Sequence, residues 1–182
     1  VASPSHTVHV GSGNYTLPGE LDITKSLTLD GAGVGVTNIT SNSTGYGINV
    51  TADNVSLKDF TYHGPTGTGT TYGIKVTPVD GSGPTGRLLN FDIENVTIDQ
   101  GYRTGLDLNG VDGATIKNVS VSNIAHVNGM ALTDSADVTI TGSTTSNNAW
   151  GGLALYQTNT AYDQQTNNIV VDGTNTFNDT IP

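Results

Sequence analysis

A five-residue phrase recurs down this chain: glycine, an apolar residue, a residue of any type, an aliphatic residue, then most often a small polar group. It appears as Gly47-Ile48-Asn49-Val50-Thr51 and Gly73-Ile74-Lys75-Val76-Thr77. It returns as Gly105-Leu106-Asp107-Leu108-Asn109, Gly129-Met130-Ala131-Leu132-Thr133 and Gly152-Leu153-Ala154-Leu155-Tyr156. The glycines are 26, 32, 24 and 23 residues apart, a period that drifts. A unit this short cannot bury its own apolar face, so neighbouring units must stack into one continuous core.

A second phrase interleaves with the first. Val55-Ser56-Leu57-Lys58-Asp59-Phe60, Phe91-Asp92-Ile93-Glu94-Asn95-Val96, Ala114-Thr115-Ile116-Lys117-Asn118-Val119 and Val138-Thr139-Ile140-Thr141-Gly142 align, and Ile169-Val170-Val171-Asp172-Gly173 extends the series. Apolar and polar residues alternate with period two, the pattern of a strand with one buried face. The alternation breaks at Asp59, Asn95, Asn118, Gly142 and Gly173, residue types that tolerate a left-handed backbone, so each is expected to turn a one-residue corner. The unit reads strand, sharp corner, strand, looser turn, strand. It is too short for crossover helices, and no window carries a helical apolar stripe. The expected fold is all-β: a right-handed single-stranded parallel β-helix of about six to seven rungs.

Composition narrows the partners. Six basic residues against 16 acidic ones give a net charge of −10, which repels nucleic acid and anionic membranes. No apolar run is long enough to span a bilayer. The same charge disfavours polyanionic sugars unless calcium bridges them, since Asp carboxylates are ligands for hard cations. No cofactor is required by any motif, and calcium is the one ion the residues admit. There is no cysteine. The chain starts Val1-Ala2-Ser3-Pro4 without Met, as expected of a processed or excised segment of a secreted or cell-surface protein.

One domain of 182 residues is expected. Residues 1–35 form the first coil and N-terminal cover, 36–177 the regular rungs, and 178–182 a tail without an obvious cap. The ends are therefore expected either to stack end to end or to continue into further rungs of a longer chain. Stretches 64–71, 78–87 and 157–167, rich in Gly, Pro, Thr, Asn or Gln, read as loops thrown outward.

With its rung phrases, its Leu27-Thr28-Leu29-Asp30-Gly31-Ala32-Gly33 opening and the Asn95/Asn118 corner stack, the chain resembles the pectate-lyase-like superfamily of right-handed parallel β-helix proteins. The likeness spans essentially the whole chain. It implies a protein of the kind that cuts, epimerises or binds polysaccharides, or a tailspike or surface module. The catalytic patterns of those enzymes are not matched: the sequence has no paired-Asp and Gly-His-Gly set, no Asp-Pro-His, and no cluster of Asp with an Arg base.

Aligning the rungs on their glycines shows which side chains stack. Tyr102, His126 and Ala149 stand three residues before a glycine, Arg103, Val127 and Trp150 two before it. Asn49, Lys75, Asp107, Ala131 and Ala154 stand two after it, on the outward side of the strand. With rungs about 4.8 Å apart, Tyr102, Arg103, His126 and Trp150 are expected to form one corner patch near Asp107 and Lys75. Exposed aromatic rings offer flat faces to sugar C–H groups, and Arg, His and Asp bind hydroxyls or carboxylates. As a lyase, the chain would use Arg103 or Lys75 as the base and His126 or Tyr102 as the acid. Hydrolysis needs two opposed carboxylates, and only Asp107 lies in the patch. The bland alternative is corner covering, with Trp150 half-buried under the 157–167 loop.

Weaker candidates remain. Asp107 with Asp112, or Asp134 with Asp137, are calcium candidates, although turn capping explains them equally. Lys58, Glu94 and Lys117 form an outward charge ladder. The Thr-rich runs share no register, which argues against an ice-binding face. The sequence therefore predicts an extracellular, non-catalytic module that recognises polysaccharide. The alternatives are a lyase-type enzyme on uronic-acid polymers and a structural module of the adhesin or tailspike kind.

Overall fold

The computed structural model describes residues 6–65, 71–79, 86–158 and 166–180. Among them there is no helix; eighteen strands wind as one coil with three faces. The first face stacks β1 (His6–Val10), β4 (Leu27–Gly31), the start of β7 (Val55–His63), the start of β9 (Leu88–Gly101), β11 (Val111–Lys117), β14 (Ala136–Thr141) and β17 (Asn167–Val171). The second stacks β2 (Gly13–Leu17), β5 (Thr37–Ser41), the ends of β7 and β9, β12 (Ser120–Ile124), β15 (Thr144–Ser146) and β18 (Thr176–Asn178). The third stacks β3 (Leu21–Ile23), β6 (Tyr46–Val50), β8 (Tyr72–Val76), β10 (Leu106–Asn109), β13 (Met130–Thr133) and β16 (Leu153–Tyr156). Every pairing is parallel. About six turns are complete, and the connections take the right-handed sense that parallel crossovers require. The expected fold is the observed one.

Alternation places the apolar residues in columns. Leu29, Leu57, Ile93, Ile116 and Ile140 stack on the first face, and Ile39, Tyr62, Ile98 and Val121 on the second. Ile48, Ile74, Leu106 and Met130 stack on the third. From Ile48 to Met130, nearly all of these side chains are fully buried.

The recurring glycine has a steric cause. A Cβ on Gly105 would lie 2.3 Å from Val121 Cγ1 and 2.9 Å from the Gly129 carbonyl oxygen. On Gly47 it would lie 1.6 Å from Tyr62 Oη and 2.7 Å from the Gly73 oxygen, and on Gly152 2.1 Å from Thr145 Oγ1. The column needs glycine for space; its members are not among the positive-φ residues.

At the sharp corners, by contrast, the backbone is left-handed: φ is 60° at Asp59, 52° at Asn95, 52° at Asn118 and 59° at Gly142. Side chains there form a ladder, Asn118 Nδ2 donating to Asn95 Oδ1 (3.1 Å) and Asn95 Nδ2 to Asp59 Oδ1 (3.0 Å). Gly173 departs from this expectation, because it is not left-handed. That corner is instead a turn in which Asp172 accepts from the Thr174 amide and hydroxyl. The charge ladder is present and longer than expected: Lys117 pairs with Glu94 (2.7 Å), Lys58 with Asp30 (3.5 Å) and His9 with Asp30 (3.0 Å).

One further expectation changes. Hydroxyl residues do share a register, but on the second face: Thr61, Thr97, Ser120, Thr144 and Thr176 form one column. A ruler built on the third-face glycine could not see it. The loops at 64–71, 78–87 and 157–167 fall mainly on 66–70, 80–85 and 159–165, outside the described residues. Their described ends, Thr71 and Arg87, are buried.

Two measurements follow from the interior. In denaturant unfolding, Gly105→Ala should cost at least about 2 kcal/mol, the cost of overpacking a core. Gly19→Ala, where an added Cβ meets nothing within 4 Å, should stay within about 0.5 kcal/mol. Burial pushes the Tyr62 phenol up to about 12 from 10.0, offset only in part by the neighbouring Ser41 hydroxyl. The folded phenol keeps its proton where the unfolded one has lost it. Stability should thus hold below pH 10 and fall between pH 10 and 12 by on the order of 2–3 kcal/mol. Tyr62→Phe should flatten that part of the alkaline profile.

Candidate functional site

The outward column of the third face runs Asp22, Asn49, Lys75, Asp107, Ala131, Ala154. Its side chains alternate with the interior Ile48/Ile74/Leu106 column, so β8 and β10 must present Lys75 and Asp107 outward and side by side. They form an ion pair, Lys75 Nζ to Asp107 Oδ2 at 2.7 Å, with each side chain only 7% exposed. The column then drops to alanine. That step opens a cavity of about 380 Å³ over Ala131, lined also by Tyr72, Lys75, Arg103, Asp107, Trp150 and Tyr156.

The turns before the third-face strands set the rim. The Arg103 amide donates to the Thr71 oxygen (3.0 Å) and the Trp150 amide to the Val127 oxygen (3.0 Å). Residues two before each glycine therefore stack rung on rung. Arg103 is exposed and holds its guanidinium carbon 5.1 Å from the centre of the Tyr72 ring, while Lys75 Nζ lies 5.0 Å from the same ring. Burial, then the negative charge of Asp107, raises the Tyr72 phenol above its ordinary value, with Arg103 opposing. That phenol is a hydrogen-bond donor, not a base. Opposite, Tyr156 Oη donates to Asn128 Oδ1 (2.8 Å), and Asn128 Nδ2 reaches the Trp150 carbonyl (3.4 Å).

Of the six residues the sequence drew together, Lys75, Asp107, Arg103 and Trp150 line this one cavity. Tyr102 and His126 do not line it. Their rings pack on each other at 4.1 Å, one residue further from the strand. Trp150 is 63% exposed, so the expectation of a ring half-buried under a loop is corrected. The register reading did not single out Tyr72, Tyr156 and Asn128. A signal existed, since Tyr46 and Tyr72 both stand immediately before the phrase glycine and pair in register.

The calcium candidates are dispersed. The Asp107 carboxylate is held by Lys75, Asp134 accepts from the Thr158 amide (2.9 Å) and hydroxyl, and Asp137 accepts from Asn168. Asp112 stands on β11 opposite Ala136. Among the described residues no group of three acidic or histidine side chains converges as a metal site.

The chain belongs to the right-handed β-helix family: the family profile described as a right handed beta helix region matches residues 73–178. Among curated protein sequences none matches it. Solved structures share the fold. The catalytic domain of a GH87 α-1,3-glucanase in complex with nigerose superposes with a TM-score of 0.65 at 14% identity, covering 86% of this chain and 31% of that one. The ORF18 protein of Geobacillus virus E2 gives 0.73 at 14% identity, covering 90% and 33%. The A-module of the Azotobacter vinelandii mannuronan C-5 epimerase AlgE6 gives 0.59 at 15% identity, covering 93% and 55%. The chain thus spans from 31% to 55% of the length of these three structures.

The buried pair makes a direct prediction. Asp107→Ala leaves the Lys75 ammonium enclosed without its counter-charge and should cost about 3 kcal/mol or more in denaturant unfolding. The double replacement Lys75→Met/Asp107→Leu, which removes both charges at similar volume, should recover most of that loss.

Proposed function

We propose that this chain is an extracellular polysaccharide-recognising module that binds sugar in the cavity between Tyr72, Arg103, Trp150 and Tyr156, without cutting it. The observation that carries this reading is the Trp150 ring, 63% exposed at the rim of a cavity whose floor is alanine. An indole left in water costs hydrophobic free energy, and a sugar's C–H face is a surface that recovers it. Arg103 forms no ion pair among the described residues, so its five donors stay available for hydroxyls or a carboxylate. The cavity volume falls in the range of small-ligand sites. Two of the structural neighbours are named for polysaccharide chemistry, the α-1,3-glucanase and the mannuronan epimerase.

The arrangement supports binding over chemistry. Lys75 and Asp107 neutralise each other, so neither is a free base or acid in the cavity. Among the described residues Asp107 is the one carboxylate in the lining, whereas hydrolysis needs two, roughly 5–9.5 Å apart. The second reading, a lyase on uronic-acid polymers, is favoured only by Arg103 facing the Tyr72 phenol. It predicts unsaturated uronate products.

Affinity electrophoresis against α-glucans, mannuronan and pectate, with and without calcium, tests this. The parent should be retarded by at least one polymer. Trp150→Ala and Arg103→Ala should each weaken that binding at least about tenfold. Parent-like binding by both variants would reject this site, and ultraviolet-absorbing products from mannuronan or pectate would favour the lyase.

A further inference from the structure

Two aromatic walls of the cavity are tied to one buried side chain. Asn128 is only 4% exposed, yet both ends of its carboxamide are bonded into the rim. Its Oδ1 accepts from Tyr156 Oη (2.8 Å), and its Nδ2 donates to the Trp150 carbonyl (3.4 Å). Among the described residues no ring contact joins Trp150 to Tyr156, so their relative placement passes through this carboxamide.

Neither ring is fixed by its own element alone. Trp150 stands on a turn and is followed by Gly151 and Gly152, with φ at 112° for Gly151. Glycine restrains the chain little. Within the turn the Gly151 amide donates to the Asn148 carbonyl (3.2 Å). To the previous rung Trp150 is tied through its amide, which donates to the Val127 oxygen (3.0 Å), and through its carbonyl, which accepts from Asn128. Tyr156 ends β16 in register with Thr133, five positions after Asn128 on the neighbouring rung. A strand advances about 3.3 Å per residue. The phenol must therefore run back along the outward side of β13, past Ala131, to reach Asn128. Ala131 is buried although it points outward, and a longer residue there would obstruct that path.

The sequence places the carboxamide where it is needed. Rung by rung, the residue before the phrase glycine is Tyr46, Tyr72, Thr104, Asn128 and Gly151. The one Asn in that column falls on the rung where the outward column becomes alanine and the cavity opens. Breaking either of its bonds would leave a buried polar group unpaired, which is costly, so the link is stiff.

We infer that Asn128 is the positioning residue of this cavity, fixing Trp150 and Tyr156 relative to each other so that the aromatic rim is formed before a sugar enters. Its purpose rests on the binding reading above; its mechanics rest on the hydrogen bonds alone. A rim already ordered leaves less freedom to be lost on binding.

Trp150 is the sole tryptophan, so its time-resolved fluorescence anisotropy reports the rim without any ligand. Local depolarisation on the nanosecond scale or faster should be small in the parent. Asn128→Ala should raise its amplitude at least about twofold. Tyr156→Phe removes one hydroxyl and keeps Asn128, and should shift the amplitude the same way because the carboxamide has lost its second tie. Tyr15→Phe, which removes a phenol bonded to the Gly11 carbonyl on β2, should leave it unchanged. With the polymer that retards the parent, Asn128→Ala and Tyr156→Phe should each bind about three- to tenfold more weakly. If Asn128→Ala fails to fold by circular dichroism, Tyr156→Phe decides alone. Parent-like Trp150 motion in the folded variants overturns the proposal. So does raised motion that leaves affinity unchanged, or an equal rise in Tyr15→Phe. A parent that binds none of the polymers rejects the binding reading by itself, and the anisotropy still decides whether Asn128 positions the rim.

Discussion

Everything in this coil depends on how closely the third face approaches the second at the wide turn. There the strand enters so near the opposite wall that no side chain fits, and a Cβ would meet Tyr62, Val121, Asn148 or Thr145 within 2.7 Å. Glycine at 47, 73, 105 and 129 also lets the carbonyl of the next rung's glycine lie 2.4–3.0 Å from where a Cβ would stand. The dense packing that results cannot relax around an extra methyl group, because a close-packed interior transmits strain to its neighbours. The rung cross-section is set by that contact. Columns such as Leu57–Ile93–Ile116–Ile140 can then hold one residue size rung after rung.

A coil with three faces must also turn corners, and each corner interrupts the strand ladder. Left-handed residues supply the bend, but amides near it lose their ladder partners. Buried hydroxyls and amides replace them. Ser143 Oγ accepts from the Val119 amide (3.1 Å), Ser135 Oγ from the Val111 amide (3.1 Å), and Asn148 Oδ1 from the Ile124 amide (3.1 Å). These three side chains are no more than 1% exposed. An orphaned buried amide is costly, so the polar residues of the interior are part of the rung and not defects in it. The low charged content and the abundance of Ser, Thr and Asn have this origin.

The sequence disclosed these features unevenly, for physical reasons. The rung and its sharp corners were legible because period-two alternation and the Asp59, Asn95, Asn118 and Gly142 corners are local signals. The pairing of Lys75 with Asp107, and the stacking of Arg103 with Val127 and Trp150, were legible because these residues sit at fixed short distances from the phrase glycine. Tyr72 was passed over because only other offsets from that glycine were followed. Tyr156 lies at the far end of the strand, where its bond to Asn128 crosses a rung. Arg87, completely buried, follows a Gly- and Pro-rich stretch with no repeat to align it, so it read as part of an outward loop. The exposure of Trp150 was misjudged because burial depends on what covers a residue, and no offset in the chain encodes that.

The interior and exterior of each strand are therefore under different constraints. Inward positions are fixed by the rung above and the rung below, and outward ones are bound only by their lateral neighbours. Along one outward column the chain passes from Asp22 and Asn49 through the Lys75–Asp107 pair to Ala131 and Ala154 without altering the backbone that carries them. The cavity arises where that column becomes small while the flanking turns still deliver Arg103 and Trp150. A site of this kind can be reshaped by changing outward residues and turn lengths at little cost to the coil. This is consistent with the fold that this chain shares, at 14–15% identity, with two proteins named for different activities.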